Sequence, residues 1–255
     1  MGKSARNPVS SVERTFEVID ALRELEGAGV TELADRLDIP KSTAHTYLST
    51  LEQEEYVVRE GDEYHVGVRF LEVGGFARRR TGLYSVAKPE VDRLAEETEN
   101  FANLMVEEHG WGIYIHRSEK GGLTTGVDSY VGTRVHLHST GLGKAILAHL
   151  PEQRLDEIVD RHGLRRETPN TITSRDALDR ELETIRERGY AFDREEYLAG
   201  LRCVAAPILD ENEEVLGAIS VSGPTNRFKG EYLERTLPDE VLEVANLIEL
   251  NVTYS

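Results

Sequence analysis

Residues 29–57 read GVTELADRLDIPKSTAHTYLSTLEQEEYV, and they contain two helical patterns separated by a break. In the first pattern, TELADRLD (31–38), Thr31 can cap a short helix. Three apolar side chains in it recur at the spacing of one buried helix face: Leu33, Ala34 and Leu37. Ile39-Pro40 then ends this helix, and Pro40 suits the first turn of the next one. The stretch therefore predicts a helix-turn-helix.

The second pattern, KSTAHTYLSTLEQEEY (41–56), predicts a helix with two different faces. At 100° per residue, Ala44, Leu48 and Leu51 share an apolar face. No acidic residue occurs from Ile39 to Leu51, although the chain has 47 Asp and Glu among its 255 residues. The face opposite the apolar one carries hydroxyl groups and an imidazole, from Ser42, His45, Thr46 and Ser49.

The polar face of this second helix is chemically suited to DNA. Hydroxyl, imidazole and ammonium groups can reach phosphate oxygens and base edges without charge repulsion. The alternative is an ordinary solvated face, which in this chain should carry acidic residues, as the next turn does with Glu52, Glu54 and Glu55. The predicted groove contacts are Ser42, Thr43, His45, Thr46 and Ser49. The predicted phosphate contacts are Lys41, Arg59 and His65.

The segments on either side predict a winged helix-turn-helix domain over residues 1–69. Upstream, Ser10 and Glu13 form a capping-box pattern that opens a helix, and Gly27 and Gly29 end it. Downstream, β-prone runs at 56–59 and 64–67 flank a Gly-Asp turn and predict a hairpin. In such a domain the third helix enters the major groove of double-stranded DNA. One such unit contacts few base pairs, so a dimer on a palindromic operator is expected.

The rest of the chain predicts a linker helix and an α+β domain. The linker helix is expected over 70–84, where Arg78–Arg80 are favoured as a solvated face over a contact to DNA phosphate. From 85 to 255, strands are predicted at 103–110, 111–118, 123–129, 202–210 and 214–223. Helices are predicted at 151–163 and from 174, the latter running into a strand by 193, and a last helix from about Pro238.

Composition predicts where the protein works. The formal net charge is −17, and only six of the 30 basic residues are lysine. An acidic, lysine-poor surface is typical of proteins in concentrated salt, which favours a halophilic source over an acidic mesophile. No apolar run is long enough for a membrane span or a signal peptide, and the single Cys203 excludes an internal disulfide. A cytoplasmic protein without membrane contact is expected.

Residues 137–148, LHSTGLGKAILA, resemble a nucleotide-binding loop without being one. A Walker A loop needs Gly where His138 stands and a hydroxyl where Ala145 stands. The dinucleotide fingerprint fails because its third glycine is replaced by Ile146. What remains is the start of a helix, where Ser139 or Thr140 caps the chain or the free amides hold a small carboxylate. Both interpretations can hold together.

The chain resembles the IclR family of transcriptional regulators. The motifs that carry it are residues 29–57 and 137–148, then TPNTITSRDALDRELETIRERGYAFDREEYLAGLRCVAAPILD (168–210) and VLGAISVSGP (215–224). The resemblance covers nearly the whole chain. It implies a winged helix-turn-helix followed by a GAF-like effector-binding domain. It also implies homodimers joined through the N-terminal domains, often paired into homotetramers, and a small organic acid as effector.

Effector-site residues follow from the same resemblance. The amides map to Thr140, Gly141 and Leu142. The polar side chains map to Asp193, Cys203, Ser220 and Ser222, with Leu201 as an apolar wall. Independently, Ser220 and Ser222 alternate along AISVSG, so both hydroxyls can face one cavity. Gly141 departs from the family, which usually carries Ala there, and the missing methyl is expected to enlarge the cavity mouth.

Two other functions are considered for this chain: catalysis by a cysteine nucleophile and binding of a metal ion. Cys203 lacks the positioned base and electropositive setting that a thiolate nucleophile needs. His136 and His138 share a strand face, but a third ligand such as His116 is not fixed by the sequence. We therefore expect no enzyme activity, no metal and no cofactor. The competing class is a small-molecule sensor or enzyme whose N-terminal module binds protein instead of DNA.

Overall fold

The computed structural model describes residues 6–119 and 130–254. The chain forms two compact units, which divide between Ala77 and Arg78 inside one helix. Each unit has its own hydrophobic core. The predicted domain boundaries of 1–69, 70–84 and 85–255 stay a prediction. Within the predicted linker, α4 (Phe70–Arg80) is separated from the next helix by a turn at Thr81–Gly82.

The N-terminal unit is a helix-turn-helix followed by a hairpin, as predicted. Its elements are α1 (Ser10–Glu24), α2 (Val30–Leu37), α3 (Lys41–Gln53), β1 (Val57–Glu60) and β2 (Glu63–Val66). The two strands pair antiparallel. The apolar faces of the three helices meet in one core around Val18, Leu22, Leu33 and Leu48, which are almost fully buried. Burial of these faces explains why the 3.6-residue periodicity located the helices.

The predicted caps of the first two helices are wrong. Ser10 lies inside α1, where Val9 is the N-cap residue, and Thr31 lies inside α2 behind Gly29. Neither capping residue donates or accepts a side-chain cap bond. The predicted third helix extended to residue 56, whereas α3 ends at Gln53. The position of a helix end depends on one or two residues, whereas the buried face depends on apolar residues that recur along the whole helix.

The second unit is built on one antiparallel sheet. Among the described residues its strands lie in the order β5-β4-β3-β8-β7-β6. The strands are β3 (Phe101–Glu108), β4 (Trp111–Ser118), β5 (Arg134–His136), β6 (Ala191–Arg194), β7 (Leu201–Leu209) and β8 (Val215–Pro224). The predicted strand at 123–129 lies outside the described residues. Helix α8 and strand β6 are separate elements at 175–188 and 191–194, as the predicted helix-to-strand passage requires.

Helices cover both faces of this sheet. On one face α5 (Leu83–Thr98) and α9 (Leu237–Thr253) pack over Val204, Ala206 and Ile208. On the other face α6 (Gly141–Leu147), α7 (Glu152–His162) and α8 (Arg175–Arg188) pack in a second core with Cys203 and Ala205. Successive residues of β7 thus face opposite layers, as the strand period requires. No helix within the described ranges combines the length and the apolar character that a membrane crossing needs.

Candidate DNA-binding helix and effector cavity

The outward face of α3 is exposed, and residues 41–51 of the helix carry no acidic side chain, whereas Glu52 in the last turn is acidic and exposed. Ala44, Leu48 and Leu51 are buried beneath it. Of the predicted groove contacts, Ser42, His45 and Thr46 are exposed, and Thr43 and Ser49 are half-buried. The structure therefore brings all five onto the solvent side of one helix in the N-terminal unit. This is the arrangement in which side chains can reach base edges in a groove.

Hydrogen bonds within α3 determine which groups remain as donors. The hydroxyl of Thr46 donates to the carbonyl of Ser42 at 2.9 Å, and Ser49 Oγ lies 3.4 Å from His45 Nδ1. A threonine hydroxyl bonded to its own helix keeps acceptor lone pairs for base amino groups. Lys41, at the start of the helix, is exposed. This makes Ser42, His45 and Lys41 the strongest donors toward DNA.

The two hairpin residues predicted to contact phosphate are engaged within the N-terminal unit. Arg59 Nε donates to the carbonyl of Gly61 at 2.9 Å. His65 Nδ1 lies 3.1 Å from the carbonyl of Glu26. A β-carbon on Gly27 would meet that imidazole at 2.2 Å, so the ring packs directly on the glycine backbone. His65 thus ties the hairpin to the turn between α1 and α2.

In the second unit, residues from five strands and the start of α6 line a cavity of about 30 Å³. Seven of the eight predicted effector-site residues line it: Thr140, Leu142, Asp193, Leu201, Cys203, Ser220 and Ser222. The antiparallel pairing explains this convergence. Asp193 pairs with Cys203, and Cys203 pairs with Ser222, so three neighbouring strands present polar side chains at one level. The eighth residue, Gly141, lies immediately beside the cavity.

Gly141 does not widen the cavity mouth, and this expectation is wrong. A β-carbon at position 141 would lie 2.8 Å from Cys203 Sγ and 3.3 Å from the amide nitrogen of Asp193. The space of the missing methyl is therefore occupied by the buried thiol. Glycine is needed here because the backbone of α6 approaches β6 and β7 closely.

Helix α6 begins with a side-chain cap. Thr140 Oγ1 accepts a hydrogen bond from the amide of Gly143 at 2.9 Å, while Ser139 Oγ donates to the carbonyl of His136. Of the two capping residues considered, Thr140 is the cap. The helix has seven residues, all buried, and its first turn carries no acidic residue. The Thr140 hydroxyl still has its own proton to donate into the cavity.

Three polar side chains of the cavity are joined by hydrogen bonds that the sequence did not predict. Asn103 Nδ2 donates to Ser220 Oγ at 3.3 Å and to Ser222 Oγ at 3.2 Å, and Asn103 is buried. An amide that bridges two hydroxyls fixes the orientation of both. The other lining residues that sequence reasoning missed are Phe101, Tyr114, Arg117 and Tyr197. The one signal was a lone asparagine in the apolar strand FANLMV.

Asp193 is the buried carboxyl of the cavity. Its Oδ1 accepts hydrogen bonds from the amides of Glu196 at 2.7 Å and Tyr197 at 3.4 Å. Burial, followed by the nearby charge of Glu196, raises the pKa of Asp193 to about 7. A protonated Asp193 can donate a hydrogen bond to a ligand carboxylate, whereas the ionised form would repel it.

Cys203 and the histidines show the geometry of packing residues. Burial raises the pKa of the Cys203 thiol well above its usual range, which opposes formation of a thiolate nucleophile. The rings of His136 and His138 are tilted relative to each other, with 5.6 Å between their centroids, but His138 Nε2 is engaged with the carbonyl of Arg165. His116 instead pairs with Asp92 at 2.7 Å. Within residues 6–119 and 130–254, no group of three candidate ligands is arranged to hold a metal ion.

A helix-turn-helix unit joined to an α+β unit with its own polar cavity defines the class of two-domain transcriptional regulators. The sequence pattern of the IclR helix-turn-helix domain matches residues 11–61, and that of the bacterial transcriptional regulator IclR C-terminal domain matches residues 76–250. The chain belongs to the IclR family of transcriptional regulators. It is therefore a transcriptional regulator.

Individual relatives agree with this assignment. The chain is 37% identical over 254 residues to a Halobacterium salinarum protein named "Probable HTH-type transcriptional regulator ArcR", covering 96% of this chain and 94% of that protein. The crystal structure of the Thermotoga maritima IclR is 33% identical, with a TM-score of 0.79 over 96% of this chain and 99% of that one. An IclR homolog from Microbacterium hydrocarbonoxydans, complexed with 4-hydroxybenzoate, shares the fold at 23% identity and a TM-score of 0.78, over 94% of this chain and 100% of that one.

Proposed function

We propose that a small organic acid bound in the cavity of the second unit modulates the binding of this regulator to its operator. The observation that carries the proposal is the polar lining of the cavity. Hydroxyl, amide and carboxyl groups from separate elements converge on it, among them Asn103, Asp193 and Ser222. Ligand sites commonly combine apolar walls with a few convergent polar groups, and here Leu142, Leu201 and Phe101 supply the walls.

A carboxylate fits the donors of this cavity. The hydroxyls of Thr140, Ser220 and Ser222 can donate, and Arg117 adds a cation to the lining. Asp193 adds a further donor when it is protonated. A cavity of about 30 Å³ holds only one or two waters. Binding of an acid therefore requires lining side chains to move, and we expect Tyr197 and Arg117, both half-buried, to do so.

DNA recognition is assigned to the outward face of α3. Ser42, Thr43, His45, Thr46 and Ser49 are the proposed groove contacts. Lys41 is the proposed phosphate contact at the start of the helix, and Arg59 and His65 are the proposed phosphate contacts of the hairpin, each with one nitrogen already bonded within the unit. The absence of carboxylates from residues 41–51 supports the proposal, since the chain as a whole carries a net charge of −17.

A homodimer through the N-terminal units, with pairing into a homotetramer, is the proposed assembly. Large apolar side chains are exposed in this unit on α1 and α4. They are Val12 and Phe16 on α1, and Leu71, Val73 and Phe76 on α4. Exposed apolar side chains of this size are typical of contact surfaces. A dimer would place two α3 helices on the two halves of a palindromic site.

The direct test is DNA binding by fluorescence anisotropy in molar KCl. The probe is the region upstream of the protein's own gene, with and without a panel of small carboxylates that includes 4-hydroxybenzoate. We expect sequence-specific binding whose affinity changes with one of the acids. Specific binding that no acid alters would overturn the effector proposal and leave the DNA assignment intact. Binding to neither specific nor random DNA would contradict both.

A further inference from the structure

Asn103 is a buried asparagine in the apolar strand β3, and it lines the effector cavity. Its side-chain nitrogen donates to two hydroxyl groups of the neighbouring strand β8, Ser220 Oγ at 3.3 Å and Ser222 Oγ at 3.2 Å. The strand register explains this reach. Asn103 stands directly opposite Ser220, and Ser222 follows two residues along the same face of β8. One amide group therefore bonds to two of the hydroxyls that line the cavity.

The direction of these two bonds determines where the hydroxyl protons point. A serine hydroxyl has one proton and two lone pairs, and each oxygen here uses one lone pair to accept from Asn103. Ser220 has a second neighbour in Cys203. Burial raises the pKa of the Cys203 thiol, and a hydrogen bond from Ser220 opposes that rise. Within residues 6–119 and 130–254, Ser222 Oγ has no second hydrogen-bond partner, so its proton is left for the cavity.

Thr140 on the opposite wall of the cavity is held in the same way. Its Oγ1 accepts from the amide of Gly143 at 2.9 Å, so the hydroxyl proton remains available to donate. The guanidinium of Arg117 also belongs to the lining and can only donate. A ligand oxygen that carries lone pairs and no proton matches these groups. A ligand N–H group would instead meet the protons of Ser222 and Thr140.

We propose that Asn103 is a positioning residue, which holds Ser222 as a hydrogen-bond donor to the ligand and so selects an ionised carboxylate over its primary amide. The inference rests on the organic-acid site proposed above. Both oxygens of a carboxylate only accept, whereas an amide presents an NH2 group at one of the two positions. A Ser222 hydroxyl without Asn103 can turn its proton away from the cavity and accept from that NH2 group. With Asn103 donating to it, the proton is directed at the ligand.

A role for Asn103 in stability alone is the competing explanation, and Asn100 on the same segment provides the comparison. Asn100 is also buried, and its Nδ2 donates to the carbonyl of Thr98 at 2.6 Å and to the Tyr232 hydroxyl at 3.3 Å. It lies outside the cavity lining. Both asparagines therefore lose buried hydrogen bonds when they are changed to alanine, but only Asn103 bonds to groups that face the ligand.

The test is isothermal titration calorimetry of the full chain in molar KCl and a buffer without carboxylates. The probes are acetate, lactate, benzoate and 4-hydroxybenzoate, each with its primary amide. We expect wild type to bind at least one acid and to bind the matched amide at least tenfold more weakly. Equal binding of an acid and its amide would overturn the inference without any variant having to fold.

The variant Asn103→Ala tests the residue itself. Its affinity for the acid should fall roughly tenfold while its affinity for the amide does not fall, so that the preference for the acid narrows by about tenfold. An unchanged preference, or an equal loss for acid and amide, would show that Asn103 acts on stability alone and would overturn the inference.

Two further variants complete the experiment. Asn100→Ala should unfold at lower urea than wild type and keep the affinities for acid and amide. Ser222→Ala should lose about as much acid affinity as Asn103→Ala, and the double variant should lose little more, because Asn103 acts through Ser222. A loss that multiplies in the double variant, or a narrowed preference in Asn100→Ala, would contradict the inference. If wild type binds none of the acids, the organic-acid proposal fails and this inference fails with it, whereas acid binding that is independent of Asn103 refutes the inference alone.

Discussion

The outward face of α3 and the effector cavity both depend on hydroxyl groups, but the two regions hold these groups differently. On α3 the side chains stand on an exposed helix face, and their hydrogen bonds stay within one or two turns. In the cavity, Asn103, Ser220 and Ser222 are buried, and their bonds join strands that are more than 100 residues apart in sequence. Substitutions on the first surface should therefore alter DNA binding alone, whereas substitutions in the cavity should alter stability and ligand binding together.

The largest expected effect is on stability, and it distinguishes the buried side of α3 from its exposed side. Leu48 is fully buried under the helix, so Leu48→Ala should lower the free energy of unfolding of the N-terminal unit by about 2–5 kcal/mol. Thr50→Ala on the same helix, where the side chain is exposed, should change it by less than about 0.5 kcal/mol. Urea unfolding followed by circular dichroism measures both. Equal losses in the two variants would contradict the assignment of the buried face.

The cavity should make the stability of the second unit depend on pH. The pKa of Asp193 is raised to about 7, so the folded state binds a proton that the unfolded state releases near pH 4. Its contribution to stability is thus full below about pH 4, is lost between pH 4 and 7, and amounts to at most about 4 kcal/mol. Wild type should lose stability relative to Asp193→Asn across that interval. A difference that stays constant from pH 4 to 8 would show that Asp193 ionises normally.

On the α3 face, loss of single donors should weaken DNA binding without unfolding the protein. Ser42→Ala and His45→Ala are each expected to lose about 1–3 kcal/mol of specific binding, roughly five- to 150-fold in affinity. Anisotropy on specific and random DNA measures the loss, and Thr50→Ala serves as the control. If a variant loses the same affinity for specific and for random DNA, the residue is not a groove contact, because an equal loss indicates a phosphate contact.

A smaller effect on stability is predicted where α6 closely approaches β7. Gly141→Ala brings a β-carbon to 2.8 Å from Cys203 Sγ and should cost about 1–3 kcal/mol of stability. Adding Cys203→Ala removes the sulfur and should recover a large part of that loss. A double-mutant cycle on urea unfolding gives the coupling between the two positions. Strictly additive effects would mean that the thiol does not occupy this space.

Salt should affect DNA binding least. In molar KCl most of the counterion-release contribution is lost, and the proposed contacts rely on neutral hydroxyls more than on lysine. We predict a shallow slope of log affinity against log salt between about 1 and 3 M KCl, with a magnitude of about 3 or less. A steep negative slope across that range would show that phosphate contacts dominate, and it would argue against the halophilic interpretation.

The two regions also differ in how far the sequence predicted them. The faces of α3 follow from a local period, so Ala44, Leu48 and the polar face were located without any tertiary information. The cavity depends on strand register. The resemblance to known regulators supplied Asp193 and Ser222. Asn103 and Arg117 were missed because they reach the cavity only through the pairing of β3 with β4 and β8, which no local pattern in the sequence determines.

The central claim is that an acid bound in the cavity of the second unit changes DNA binding by the N-terminal unit, and Ser222→Trp tests it most directly. Anisotropy in molar KCl would follow the operator affinity of wild type and Ser222→Trp, with and without the acid that shifts wild type. The account predicts the same affinity for both proteins in the absence of acid and no response to the acid in the variant. A variant that folds, binds the operator and still responds as wild type does would contradict the account.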